Sequence, residues 1–182
     1  MILLNLVSRI DDDKNSFLDL VYIAYELKQA EIINFKVLFI GGIHKVSIYQ
    51  NILRMAYLLG VTEHIDFTKK SVPLKDLPAE IKKGYFFNYT VGNFFGYSAI
   101  ESVELGFKTI FCNCDQFLSS EWSSYINFCP DIGSAIELIK LISREEEKVS
   151  TAIFENNIKM KAGYFLSQND KTLLFSMLSP SE

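Results

Sequence analysis

Basic runs are missing from this sequence. Its 18 lysines and arginines are outnumbered by 22 acidic residues, for a net charge of −4, so the cationic footprint that holds nucleic acid is absent. No apolar run approaches the roughly 18 residues of a membrane-crossing helix. The opening stretch, Met1 to Val7, has no basic segment ahead of its short apolar run and reads as a strand, not a secretory signal. Cysteine is scarce: Cys112, Cys114 and Cys129 make an odd number with no Cys-x-x-Cys pair, which argues against a disulfide framework and a four-ligand zinc site. Cys112 and Cys114 stand two apart, a spacing that puts both on one side of a strand. Buried, reduced thiols are expected, and with no signal segment the expected setting is the cytoplasm. His-Glu-x-x-His, Gly-x-Ser-x-Gly and a P-loop are also lacking, which leaves the matching hydrolase and NTPase readings without support.

What is present is apolar and aromatic. Hydrophobic residues make up 49% of the 182 and charged residues 22%, enough for one domain with a sizeable core and too apolar for wholesale disorder. Aromatics are plentiful, with fifteen Phe and nine Tyr, and the mean hydropathy is +0.15. That value fits either a large core or a face that normally packs against something else.

Short apolar runs alternate with helical periodicity. Strands are expected at Ile2–Val7, Phe35–Ile40, His64–Phe67, Tyr85–Phe87, Thr109–Cys112 and Tyr125–Cys129. Between them, Phe17, Leu18, Val21, Ala24, Tyr25 and Leu27 keep helical spacing, as do Ile48, Ile52, Met55, Ala56 and Leu59, with Gly60 placed as a C-cap glycine. A short helix is expected within 74–82, another from Gly96 to about Leu105, and three at the end: about 132–142, 145–162 and 169–178. Strand–helix alternation with short linkers implies a parallel sheet covered on both faces, whose ligands sit at the carboxyl ends of the strands.

Three loops at those ends carry candidate chemistry. After the first strand, Arg9 and Lys14 flank Asp11, Asp12 and Asp13. Two cations there suit a diphosphate, Arg as a planar fork and Lys as a point charge; equally, both could simply neutralise the aspartates. Gly41 and Gly42 after the second strand either let backbone approach a ligand or form an ordinary turn. In Gly92 to Glu101 a strand feeds a helix through Gly96, and the amides of Tyr97 and Ser98 could hold a phosphate. Glu101, one turn on, fits a ribose diol or a solvated surface charge. His64 reads as structural and Trp122 as a packing residue.

Together these segments resemble the C-terminal domain of the group 1, family 4, retaining glycosyltransferases. Leu6-Val7-Ser8-Arg9-Ile10 followed by Lys14-Asn15 resembles that family's "VGRL…KN" opening, and Phe39-Ile40-Gly41-Gly42 its "IIGdG". The stretch from Tyr57 to Phe67 is similar to "a..LGl.d.v.F.G", and Asn93 to Gly106 followed by Thr109-Ile110 to "EGFGl..lEAma.G.PvI". The likeness spans nearly the whole chain. It implies an α/β fold: a Rossmann-like, doubly wound parallel sheet of about six strands with helices on both faces, one half of a GT-B enzyme. Residues 1–182 would form a single nucleotide-sugar-binding domain, its helices from about 145 docking on a missing N-terminal acceptor domain.

The resemblance also implies roles. Arg9 and Lys14 would hold the donor diphosphate, and Gly96, Tyr97 and Ser98 would face its phosphates. Glu101 would contact the ribose as the second glutamate of the family's Glu-x7-Glu pair. Residues Ile65 to Thr68, Phe67 among them, would border the base, beside Gly41 and Gly42. No metal and no separate cofactor is expected, since the cations and the helix dipole would stabilise the leaving diphosphate. The sequence departs from the family at Asn93, which replaces the first glutamate and can bond a sugar hydroxyl without carrying charge, and at Phe94 and Ser8, which replace glycines. Asn113 to Phe117 replaces a glycine-rich loop. The expected function is donor binding for sugar transfer to a glycan or lipid acceptor, in the cytoplasm and conceivably at the inner face of a membrane reached through the missing domain. The alternative is a degenerate, non-catalytic interaction module, and the fold class also houses sugar-nucleotide epimerases.

Overall fold

Six parallel strands form one sheet in the order β3-β2-β1-β4-β5-β6. The computed structural model describes residues 1–12, 16–89, 95–114, 121–164, 169–170 and 172–173. β1 (Ile2–Val7) lies inside the sheet. It pairs along its whole length with β2 (Phe35–Ile40), from Ile2 opposite Phe35 to Val7 opposite Ile40, and on its other side with β4 (Tyr85–Tyr89). β3 (Ile65–Phe67) flanks β2, while β5 (Lys108–Cys112) and β6 (Phe128–Cys129) extend the sheet beyond β4. Strand order therefore reverses between β1 and β4. That reversal opens a crevice at the carboxyl edge of a parallel sheet.

Among the described residues the named helices are α1 (Ser16–Gln29), α2 (Val46–Leu58), α3 (Ala79–Lys82), α4 (Tyr97–Glu104), α5 (Ile132–Arg144) and α6 (Glu146–Tyr164). α1 packs beside α2 and α5 on one face. There Phe17, Leu20, Val21, Ala24 and Leu27 join Leu4, Leu6, Val37, Phe39, Phe87 and Ile110 in the largest core. On the opposite face α4 buries Ala99 and Val103 with Phe95, Phe111 and Phe128. A third cluster gathers Ile40, Leu74, Leu77, Phe86 and Phe107. Successive β5 residues, Ile110 and Phe111, divide between the faces as strand alternation requires.

The amino edge of the sheet is closed by α6. Asn157 donates to the Phe107 carbonyl (2.9 Å), and Asn127 donates both to Asn157 Oδ1 (2.8 Å) and to the Thr109 carbonyl (2.9 Å). Tyr85 and Ser150 share a hydroxyl–hydroxyl bond of 2.6 Å, and the Lys108 ammonium lies 4.1 Å from the Tyr85 ring centre. α2 leaves an apolar stripe in solvent, where Val46, Leu53 and Tyr57 share one helical side and Leu58 adjoins it.

All six expected strands exist, with local differences. His64 belongs to a 3₁₀ turn (Thr62–His64) and not to β3; its ring stacks on Phe35 (4.1 Å between centres) and its Nδ1 contacts the Phe35 carbonyl at 3.1 Å. The helix expected over 74–82 divides into a 3₁₀ turn (Leu74–Asp76) and α3. Pro78 forces its predecessor Leu77 out of the helical region, to φ −62° and ψ 145°. β6 keeps only Phe128–Cys129, because Glu121–Ser124 form a 3₁₀ turn leading to Tyr125. Gly60 follows α2 with φ +66°, as a C-cap glycine should. The helix expected at 169–178 lies mostly outside the described residues.

Cys112 and Cys114 do not share a side. Cys112 enters the α1 core and Cys114 the α4 core, because Asn113 between them is left-handed (φ +58°) and turns the chain. All three cysteines are buried, and none is in a disulfide. Burial pushes the Cys112 thiol well above its usual range and that of Cys129 up to about 12, so neither offers a thiolate near neutrality.

Candidate functional site at the carboxyl edge of the sheet

The loops after β1 and β2 continue the sheet's pairing past its end. Ser8 donates its amide to Ile40, Ile10 donates to Gly42, and the amides of His44 and Lys45 both reach the Ile10 carbonyl, at 2.9–3.0 Å throughout. Gly41 is required by this closeness: a Cβ there would overlap the carbonyl oxygen of Ser8. Its amide donates to Thr68 Oγ1 (3.0 Å), and that hydroxyl donates onward to the Lys70 carbonyl (2.8 Å). Gly41 thus pins the ends of β1, β2 and β3 together. A Cβ on neighbouring Gly42 would come within 3.4 Å of the His44 ring.

Charge collects on this frame. Arg9 Nε lies 3.5 Å from Asp11 Oδ2, His44 Nδ1 lies 3.9 Å from the same oxygen, and Lys45 Nζ is 2.9 Å from Asp12 Oδ2. The hydrogen bond and charge of Lys45 hold the Asp12 carboxyl below its usual range, and Asp12 in turn raises Lys45. Neutralisation of the aspartates, one of the two sequence readings of this loop, is therefore realised at Arg9. The pair is half-exposed, where an ion pair contributes only about 0–1 kcal/mol. Phe67, at the end of β3, stacks on Phe39 (5.0 Å, 13°) and meets the edge of Tyr49 (4.9 Å), so its ring is largely occupied by packing.

Beyond the β1/β4 switch, α4 begins at Gly96. An added Cβ at Gly96 would meet no described residue within 4 Å. The amides of Ala99 and Ile100 both donate to the Gly96 carbonyl, at 3.0 and 3.3 Å, and close the first turn of α4. Lys45 at the start of α2 likewise provides no side-chain cap, whereas Asp131 caps α5 by accepting from the Ser134 amide at 2.7 Å. Glu101 is on the solvent side of α4, one turn beyond the 85%-exposed Tyr97. Lys14 and Asn93 lie outside the described residues. Of the proposed site residues, Arg9, Gly41, Gly42 and Phe67 meet at one part of this edge, and Gly96, Tyr97, Ser98 and Glu101 line another.

A small cleft of about 10 Å³ runs under the first turn of α4; it is bordered by Asn5, Val7, Asn88, Ser98, Ser102 and Thr109, among others. Sequence reading passed over Asn5, Asn88 and Asp19. Burial pushes the Asp19 carboxyl, in the first turn of α1, above its usual range, and its charge reaches Tyr89 and Cys112 at the ends of β4 and β5. An Asn inside the apolar run of β1 was the available signal for Asn5; Asp19 carried none.

No described helix is long and apolar enough to cross a membrane. No protein-family model matches the chain, and no curated protein sequence matches it. Solved structures do. The C-terminal domain of a glycosyl transferase group 1 family protein (LpcC) from Francisella tularensis superposes with a TM-score of 0.67 at 12% identity, over 92% of this chain and 87% of that domain. The pneumococcal O-GlcNAc transferase GtfA, solved with UDP and GlcNAc, gives 0.63 at 14% identity over 98% of this chain, which spans 36% of GtfA. A glycosyltransferase from Rickettsia africae gives 0.62 at 14%, over 87% of this chain and 43% of that one. Identities this low speak to architecture alone. The six-stranded Rossmann-like α/β fold of this chain is similar to that of the C-terminal domain of a group 1 glycosyltransferase.

Proposed function

We propose that this chain is the donor-binding half of a retaining glycosyltransferase of the GT-B, group 1 family 4 kind. In this reading it holds a nucleotide diphosphate sugar while a complete protein transfers the sugar, a hexose or close relative, to a glycan or lipid acceptor. The observation that carries the reading is the start of α4 at the topological switch, where the helix begins on a glycine N-cap at the same carboxyl edge as Arg9. Such a helix start favours an anion through its amides and its dipole. Arg9 and Lys14 supply the remaining positive charge to the diphosphate as it leaves, so no metal ion is needed. Glu101 accepts from the ribose hydroxyls, Asn93 bonds a hydroxyl of the sugar, and the Gly41-Gly42 turn with the end of β3 borders the base. The acceptor site belongs to an N-terminal domain, and the reaction takes place in the cytoplasm, at the membrane's inner face where the acceptor is a lipid. Polysaccharide biosynthesis is the broad process this chemistry serves.

A second reading, a degenerate interaction module, draws support from two observations. Arg9 is engaged with Asp11, and Phe67 is committed to packing. Calorimetric titration with UDP, GDP, ADP and their sugar conjugates separates the two readings. The donor-site reading expects saturable binding of one nucleotide diphosphate. Arg9→Ala and Lys14→Ala should each weaken it about tenfold or more, the scale of a lost charged hydrogen bond. A folded sample that binds none of these ligands would favour the interaction module, and binding unchanged in both variants would remove the phosphate assignment.

A further inference from the structure

We propose that a single water molecule is held beneath the first turn of α4, donating a hydrogen bond to Asn5 Oδ1 and accepting one from Asn88 Nδ2. Asn5 sits inside the sheet, in β1, with no exposed surface. Its Nδ2 donates to the Ile81 carbonyl at 2.9 Å, which fixes the orientation of the amide, since the flipped form would set oxygen against oxygen. Oδ1 is thereby left as a buried acceptor with no partner among the described residues, and Asn88 Nδ2, on adjacent β4, is a buried donor in the same condition. The two groups are complementary, and both residues line the same cleft.

Chemistry and size agree on the occupant. An unmet buried polar group costs about 1–3 kcal/mol, so two of them in one cleft call for a bridging group that both donates and accepts. The volume, about 10 Å³, matches the roughly 10–15 Å³ that admits one water and is far too small for a phosphate or a sugar ring. An anion is excluded on charge as well, because Asn5 Oδ1 is an acceptor. Ser102 and Thr109 are already committed, Ser102 to the Ala99 carbonyl and the two hydroxyls to one another at 2.8 Å. Ser98, which borders the cleft in the first turn of α4, offers a hydroxyl for a third bond. The water ties β1 and β4 to the start of α4. It does so whether or not a nucleotide binds above it.

A crystal structure of the chain tests the proposal directly. The expected result is ordered density within about 3.2 Å of both Asn5 Oδ1 and Asn88 Nδ2. In solution, nuclear Overhauser spectra should show transfer from a long-lived water to the side-chain amide protons of Asn88 and of Asn5, with the Asn5 transfer lost in Asn88→Leu, whose apolar side chain occupies similar space. Two well-ordered asparagines with no density between them would overturn the proposal, as would an Asn88 amide bonded directly to a protein acceptor. The wild-type measurement decides the matter even if Asn88→Leu does not fold. Neither readout involves a nucleotide, so failure here leaves the donor reading intact, and the reverse also holds.

Discussion

Helices α1 and α4 each connect two strands of the same sheet, on opposite faces, and they are seated differently. α1 has 14 residues and lays Phe17, Leu20, Val21, Ala24 and Leu27 onto strand residues that are apolar throughout. α4 has eight, and beside the apolar Ala99 and Val103 it buries Ser102, bonded to Thr109, above a cleft bordered by Asn5, Asn88 and Ser98. A dry interface is strong but weakly directional, because dispersion and apolar burial scale with contact area. A hydrogen-bonded seam adds little net energy yet fixes geometry, since a small displacement leaves buried groups unmet. The helix expected to present its first amides to a ligand is therefore the one whose position is set by directional bonds.

The largest effect should come from the dry side. Leu20 has no exposed surface, and Leu20→Ala removes its contacts in the main core, so a loss of about 2–5 kcal/mol is expected from urea unfolding. On the other side, Ser102→Ala deletes the hydroxyl that joins α4 to Thr109. Thr109 keeps the Phe107 carbonyl as a partner at 3.2 Å, so the loss should be smaller, about 1 kcal/mol. Equal losses in the two variants would erase the contrast between the faces. A Ser102→Ala loss above that of Leu20→Ala would reverse it.

Much of this arrangement was legible in the sequence, and the failures have physical causes. Ile2–Val7 and Phe35–Ile40 were readable to the residue because buried parallel strands are near-continuous apolar runs. Pro78 was visible as punctuation, but its effect on Leu77 divided a helix that periodicity had joined. Two-residue spacing misplaced Cys114 because a single left-handed residue, Asn113, breaks alternation without any glycine to announce it. At the site, both readings of the Arg9 loop were available beforehand, and the structure brings Arg9 and Asp11 together. Asn5 and Asn88 were missed because neither strand alone shows that an amide group is left unmet. Only the three-dimensional pairing of β1 with β4 shows that their unmet groups share a cleft.

Helix starts offer the finest test of the comparison. α5 is capped by its own Asp131, whose carboxylate accepts from the Ser134 amide at 2.7 Å and its hydroxyl at 2.9 Å, while α4 begins on a glycine with no side chain to give. Asp131→Ala should lower stability by about 1 kcal/mol near neutrality, the usual loss for a missing cap. Its pH dependence follows from the carboxyl, which the Ser134 amide and then its hydroxyl hold below the usual carboxylate range. A group whose pKa is depressed on folding stabilises above its unfolded value, about 3.9, and that stabilisation is lost as pH falls through the folded value. The gap between wild type and Asp131→Ala should therefore be full near neutrality and shrink in acid below about pH 4. Urea unfolding of both proteins across that range checks it; a gap that stays constant into acid would mean that the ionised carboxylate is not what caps α5.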